Sequence, residues 1–196
     1  PSCPAQSRQR LLYFGSRPGM DIDGLGEEVV DLLLDSKMIR SYADLYRLQE
    51  EEVASLVWPK MRKGKDGKQI EVQFGQLNAK KLIDGIDATR ERGLSRLLAS
   101  LSIRHVGPRV AKLICRTFPN LEGLLEATVQ ELADIHEIGQ AIAESVHSFC
   151  QSEHGVAILK DLESVGVSTS ETVPTENMDS AIAGKTIVVT GTLQQL

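Results

Sequence analysis

Four isolated glycines constrain this chain more than any other feature. They lie in DGLGEEVVDLL, VQFGQLNAKKLI, RHVGPRVAKLI and HEIGQAIAESV, at Gly26, Gly75, Gly107 and Gly139. The last three stand 32 residues apart; the first interval is 49, lengthened by WPKMRKGKDGKQ, Trp58 to Gln69. Recurrence at such a period marks one supersecondary unit used repeatedly. An apolar residue precedes each glycine: Leu25, Phe74, Val106 or Ile138. Four residues after it comes Val30, Ala79, Ala111 or Ala143, and seven after it Leu33, Leu82, Ile114 or Val146. Offsets of four and seven share one helical face, so each glycine opens an amphipathic helix. The small residue at the fourth place lets a second helix come close. Ile22, Ile103 and Ile135, four residues before three of the glycines, anchor the end of a preceding helix.

The expected unit is therefore helix, tight glycine turn, helix. Each unit leaves an apolar face uncovered, so the units pack into one mainly α domain of tandem hairpins. SYADLYRL and LEGLLEATVQELADI add helical stretches between them, with Ser41 and Asn120 as capping residues.

The length of 196 residues suits one domain with extra pieces, or two small ones. With 41% hydrophobic, 25% charged and only 4% aromatic residues, the chain is of the soluble globular class with an aliphatic core. It contains no apolar run of membrane-spanning length and no signal-peptide layout. Three well-separated cysteines, Cys3, Cys115 and Cys150, disfavour a secreted disulfide framework and favour a reducing, cytosolic setting. A start at Pro1 and a stop at Leu196, just after a strand-like segment, read as a piece of a longer protein.

Net charge is −5, but its distribution is uneven. Residues 1–53 carry 6 basic and 10 acidic side chains, residues 54–119 carry 14 and 5, and residues 120–196 carry 2 and 12. A basic centre between acidic flanks is either the footprint of a polyanion or a solvated helix face, and charge alone does not choose. The glycines add a reason for the first. A glycine before a helix turns the backbone with its amides outward and no side chain in the way. Those amides, at the positive end of the helix dipole, bind phosphate. Lys80, Lys81, Arg109 and Lys112 follow their glycines closely and are candidate phosphate partners. The competing reading is that the glycines only make tight helix–helix turns; four copies, two in the basic block, weigh against it.

The four segments resemble helix-hairpin-helix motifs. Three further stretches extend the resemblance to the bacterial NAD-dependent DNA ligase family. CPAQ, Cys3 to Gln6, is similar to the end of that family's four-cysteine zinc finger. FGSRPGMDIDGLGE, Phe14 to Glu27, is similar to the signature opening its hairpin domain, and AGKTIVVTGTL, Ala183 to Leu193, resembles the first strand of its BRCT domain. The resemblance covers essentially the whole chain and implies its organisation. Residues 1–13 end the zinc finger, 14–166 form a DNA-binding domain with four hairpins, 167–180 are a linker, and 181–196 begin a truncated BRCT domain.

By the same resemblance the whole enzyme seals nicks in duplex DNA, using NAD, Mg and Zn, as a monomer in the cytoplasm. No cofactor is held fully within this chain, and none of its residues is catalytic. The implied DNA-binding set is Gly24, Leu25, Gly26, Gly75, Gln76, Asn78, Lys80, Val106, Gly107, Arg109, Lys112, Gly139 and Gln140. Cys3 is the last of four zinc ligands, the others lying upstream.

The chain departs from the family pattern at the earlier glycine of the hairpin, kept as Gly24 but replaced by Gln73, His105 and Glu137. A carboxylate repels phosphate, which favours packing over DNA contact at the fourth hairpin. Glu27 and Glu28 make the footprint uneven in the same way. The insertion, with Lys60, Arg62, Lys63, Lys65 and Lys68, is read as a solvated loop, with an extension of the DNA footprint as the alternative. GKDGK, Gly64 to Lys68, lacks the lysine two places before Asp66 that adenylated-lysine motifs require. Cys115 and Cys150 are core residues, and His105, His136, His147 and His154 have no metal-ligand spacing. The rival functions are a non-enzymatic helix-hairpin-helix DNA-binding module of a repair or replication protein and a helical scaffold without a DNA role.

Overall fold

The computed structural model describes residues 4–59, 62–63 and 69–171, which are mainly helical. The described helices are α1 (Pro4–Gly15), α2 (Glu27–Asp35), α3 (Tyr42–Leu45), α4 (Glu50–Ala54), α5 (Gln76–Asp87), α6 (Leu94–Ser100), α7 (Pro108–Thr117), α8 (Leu121–Glu126), α9 (Val129–Ala133), α10 (Gln140–Gln151) and α11 (Glu153–Ser164). Two short strands, β1 (Arg62–Lys63) and β2 (Gln69–Ile70), pair antiparallel. No described helix is long and apolar enough to cross a membrane.

The helical period read from the sequence becomes the core. Val30, Ala79, Ala111 and Ala143 are all 0% exposed, and Leu33, Leu82, Ile114 and Val146 are no more than 1% exposed. Leu25, Phe74, Val106 and Ile138 also point inward, holding each turn to its own helix pair. Ile22 and Ile103 are buried with them, and Ile135 packs at the edge of the same cluster. Full burial of a Leu or Ile side chain contributes about 1.5–3 kcal/mol. The aromatic content is small but central: Phe14 stacks on Tyr42 with centroids 4.7 Å apart and meets Tyr46 edge-on at 6.4 Å.

The chain departs from the expected unit at Gly75. No helix leads into that turn. The segment before it runs back along residues 54–58, with Trp58 N–H donating to Val72 O at 2.8 Å, Phe74 N–H to Leu56 O at 2.7 Å and Gly75 N–H to Ala54 O at 3.1 Å. Once two chain segments run antiparallel in this way, pairing continues outward. The insertion is thus closed by β1 and β2 in the register Arg62↔Ile70 and Lys63↔Gln69, where a loop was expected. Residues 60–61 and 64–68 of it lie outside the described residues.

LEGLLEATVQELADI is also two helices. Ala127 turns extended, with ψ 131°, and Thr128 starts α9 with a reciprocal capping box to Glu131. Ser41 and Asn120 cap α3 and α8 as expected, accepting from Asp44 N–H and Gly123 N–H. The polar segment expected to begin a linker at residue 167 remains on the domain as far as Glu171. Val167 is buried, Ser168 N–H donates to Arg90 O at 2.7 Å, and Leu121 and Leu94 donate to Thr169 O and Ser170 O. Residues 172–180 and the BRCT-like segment 181–196 lie outside the described residues, as does Cys3.

Arg90 closes the base of the domain. Its guanidinium lies 5.1 Å from the Tyr46 ring centre, donates to Tyr46 O at 3.1 Å, to Asp87 at 2.8 Å and to Val165 O. This member of the basic block is occupied in holding α3, α5 and α11 together.

Candidate nucleic-acid interface

Gly26, Gly75, Gly107 and Gly139 each occupy the N-cap position, immediately before α2, α5, α7 and α10. A Cβ atom built on any of the four meets no atom of the protein within 4 Å. At other glycines the protein itself needs the missing side chain. The same construction at Gly19 comes to 2.4 Å from Tyr13 O, at Gly85 to 2.3 Å from Asp23 O, and at Gly155 to 2.0 Å from Phe149 O.

Backbone conformation does not account for three of the four either. Gly26, Gly107 and Gly139 have φ of −85°, −104° and −83° with extended ψ, a region open to every residue. Only Gly75, with φ +82°, requires glycine for its own conformation. Neither internal packing nor torsion explains the other three.

Side chains of the protein cap some helix starts and leave others uncapped. Ser41, Asn120, Thr128 and Ser152 place a side-chain oxygen on the first turn of α3, α8, α9 and α11. Among the described residues no side chain accepts from the first-turn amides of α5, α7 or α10. In α10 the Ile142 N–H turns back to Gly139 O at 3.0 Å; earlier first-turn N–H groups and the positive dipole end are what anions bind.

Long-range contacts join the hairpins in two pairs. Gly85 lets α5 lie against the Asp23 carbonyl, and Lys81 Nζ reaches Asp23 Oδ2 at 3.3 Å, so the Gly75 helix rests on the Gly26 turn. Arg109, at the start of α7, reaches Glu137 Oε2 at 2.6 Å and so ties the Gly107 turn to the Gly139 turn. The position two residues before the glycine is left-handed in three turns, with φ +86° at Gly24, +66° at His105 and +71° at Glu137. His105 and Glu137 therefore adopt a conformation that glycine takes without cost. In the turn before Gly75 the left-handed residue is Gly75 itself, and Gln73 forms an extended bridge with Val57.

The remaining candidates divide by partner. Leu25 and Val106 are buried, so only their backbone can face a ligand. Gln76 donates to Glu50 at 2.8 Å, Asn78 to Phe74 O at 2.6 Å, which braces the turn, and Gln140 to Glu144 at 2.8 Å. Lys80 pairs with Asp84 at 3.1 Å. Lys112 is exposed and has no ion-pair partner among the described residues. Exposed pairs such as Lys80–Asp84 contribute about 0–1 kcal/mol, so a phosphate competes with them readily.

Sequence reasoning missed the pairing of the turns and the role of Gly85, which is on a helix and carries no local signal. Among the described residues, no three His, Cys, Asp or Glu side chains gather as metal ligands do, and Cys3 lies outside them. Burial pushes the thiols of Cys115 and Cys150 up to about 12 and about 11, in keeping with core positions.

Comparison with known proteins agrees with this geometry. Residues 96–159, which hold the Gly107 and Gly139 turns, match the helix-hairpin-helix motif family, and this places that part of the chain in the helix-hairpin-helix class. The chain is 59% identical, over 99% of its length, to the DNA ligase of Rhodopirellula baltica, and 38% identical over its full length to the DNA ligase of Bacillus subtilis. It belongs to the DNA ligase family, and spans 28% of the length of each of those two relatives.

Proposed function

We propose that this chain is the DNA-gripping region of an NAD-dependent DNA ligase, a cytoplasmic monomer that seals nicks in duplex DNA. The observation carrying this reading is the set of four glycines with open space where a side chain would stand, each at a helix start. Main-chain amides there hydrogen-bond phosphate oxygens, with Lys80, Arg109 and Lys112 adding charge. Such contacts read the sugar-phosphate backbone and not the bases, so binding is independent of sequence. The adenylation chemistry, with its NAD and Mg, belongs to parts of the enzyme that this chain does not carry. Cys3 would complete a zinc site whose other ligands lie elsewhere in the enzyme.

The test is the double variant Gly107→Val and Gly139→Val, placed where backbone and space both accept a side chain. The purified chain should keep its circular dichroism and lose roughly tenfold or more in affinity for a mixed-sequence duplex, since blocked amides forfeit several phosphate contacts. A folded double variant with unchanged affinity defeats the reading. The rival helical scaffold predicts no salt-sensitive DNA binding by the parent chain at all.

A further inference from the structure

Arg109 and Glu137 belong to different hairpins, yet their side chains meet at 2.6–2.8 Å outside the core. The Arg109 side chain is 79% exposed and the Glu137 side chain 38%. Arg109 is the second residue of α7, beside the open amides of the Gly107 turn. Glu137 stands in the left-handed position of the next turn, at a backbone cost that glycine would not carry. His136 Nδ1 lies 3.8 Å from the same carboxylate.

A carboxylate and a phosphate diester are both oxyanions that accept paired N–H donors from a guanidinium. We propose that Glu137 is an internal stand-in for a DNA phosphate: it holds Arg109 across the two hairpins until a backbone phosphate takes its place. Resting on the reading that these hairpins grip DNA, this makes Glu137 a determinant that weakens affinity and keeps the arginine aimed between the turns. Exchange of one oxyanion for another lowers the net ion release on binding, so the chain depends less steeply on salt than its count of phosphate contacts implies.

Glu137→Gln and Glu137→Gly, the latter matching the left-handed backbone, are compared with Glu144→Gln, which removes a charge from the same region without touching Arg109. Each is measured for duplex affinity across a salt series, alone and with Arg109→Ala, with melting curves confirming the fold. Both Glu137 variants should bind roughly twofold to fivefold tighter, the range expected for releasing an exposed pair. Their salt slope should steepen, because binding the phosphate then releases no carboxylate. In the Arg109→Ala background most of that gain should vanish. Unchanged affinity overturns the proposal. So does a gain that persists in full without Arg109 or is matched by Glu144→Gln, since the carboxylate would then act only by repelling DNA. If the parent chain binds no duplex, the DNA-gripping reading itself falls and this proposal with it; a parent that binds with indifferent Glu137 variants sinks this proposal alone.

Discussion

Glu171 accepts a hydrogen bond from the Ser95 amide at 2.7 Å and a second from the Ser95 hydroxyl at 3.0 Å. It thereby places a carboxylate at the start of α6, directly behind Gly93. A glycine-headed helix of this protein is here closed by an anion from its own chain. Helices α5, α7 and α10 also start behind a glycine, and among the described residues no carboxylate caps their first turns in this way. Replacing Glu171 with Ala strands the amide and hydroxyl of Ser95, which is buried. Urea unfolding should show a loss of about 1–3 kcal/mol, the cost of unsatisfied buried donors.

Helix stability and DNA affinity should move in opposite directions at Gly139. Aspartate is a better N-cap than glycine by a few tenths of a kcal/mol, and its charge favours the dipole. Gly139→Asp should therefore unfold at the same or slightly higher temperature. Its carboxylate would occupy the place offered to phosphate, so duplex affinity should fall by roughly tenfold. A destabilised Gly139→Asp protein would mean that the turn needs glycine for its own packing.

Arg90 lies in the basic block but serves the fold. Loss of its bonds to Tyr46 O and Val165 O, and of its stacking on the Tyr46 ring, should destabilise Arg90→Ala by roughly 1–3 kcal/mol. Arg90→Lys should not restore stability, because an ammonium lacks the planar fork that reaches several acceptors. Well below the melting temperature, both variants should bind duplex as the parent does. The measurements are thermal melts and titrations on the same samples.

The two buried thiols make the domain sensitive to alkali. Burial raises Cys115 to about 12 and Cys150 to about 11 from an ordinary value of 9.0. The folded state thus holds protons that the unfolded chain releases. Their stabilising effect is complete below pH 9.0 and declines as pH rises toward about 12 and about 11, respectively. At pH about 10 each thiol should cost on the order of 1 kcal/mol, and Cys115→Ala with Cys150→Ala should flatten the decline in urea midpoint. Neither thiol should react with a thiol reagent before the domain opens.

Helix starts and buried faces were legible because both are local properties of the chain. A glycine followed by apolar residues at offsets of four and seven specifies where a helix begins and which side is covered. Gly107, Ala111 and Ile114 show this directly. The return strand before Gly75 was not legible, since it depends on hydrogen bonds from residues 56–58 to residues 72–74 across the insertion. Nor was the docking of residues 167–171, whose polar composition resembles a linker but whose carbonyls meet amides at Leu94 and Leu121.

The sequence by itself determined which glycines open helices and the apolar stripe that buries those helices, because periodicity is written within a few successive turns. Tertiary structure alone decided which glycines are open and which are filled from within. It also decided which turns lie side by side and which basic side chains are already paired. Those outcomes depend on atoms brought together from distant parts of the chain, as Arg109 and Glu137 are, and no short stretch of sequence contains them.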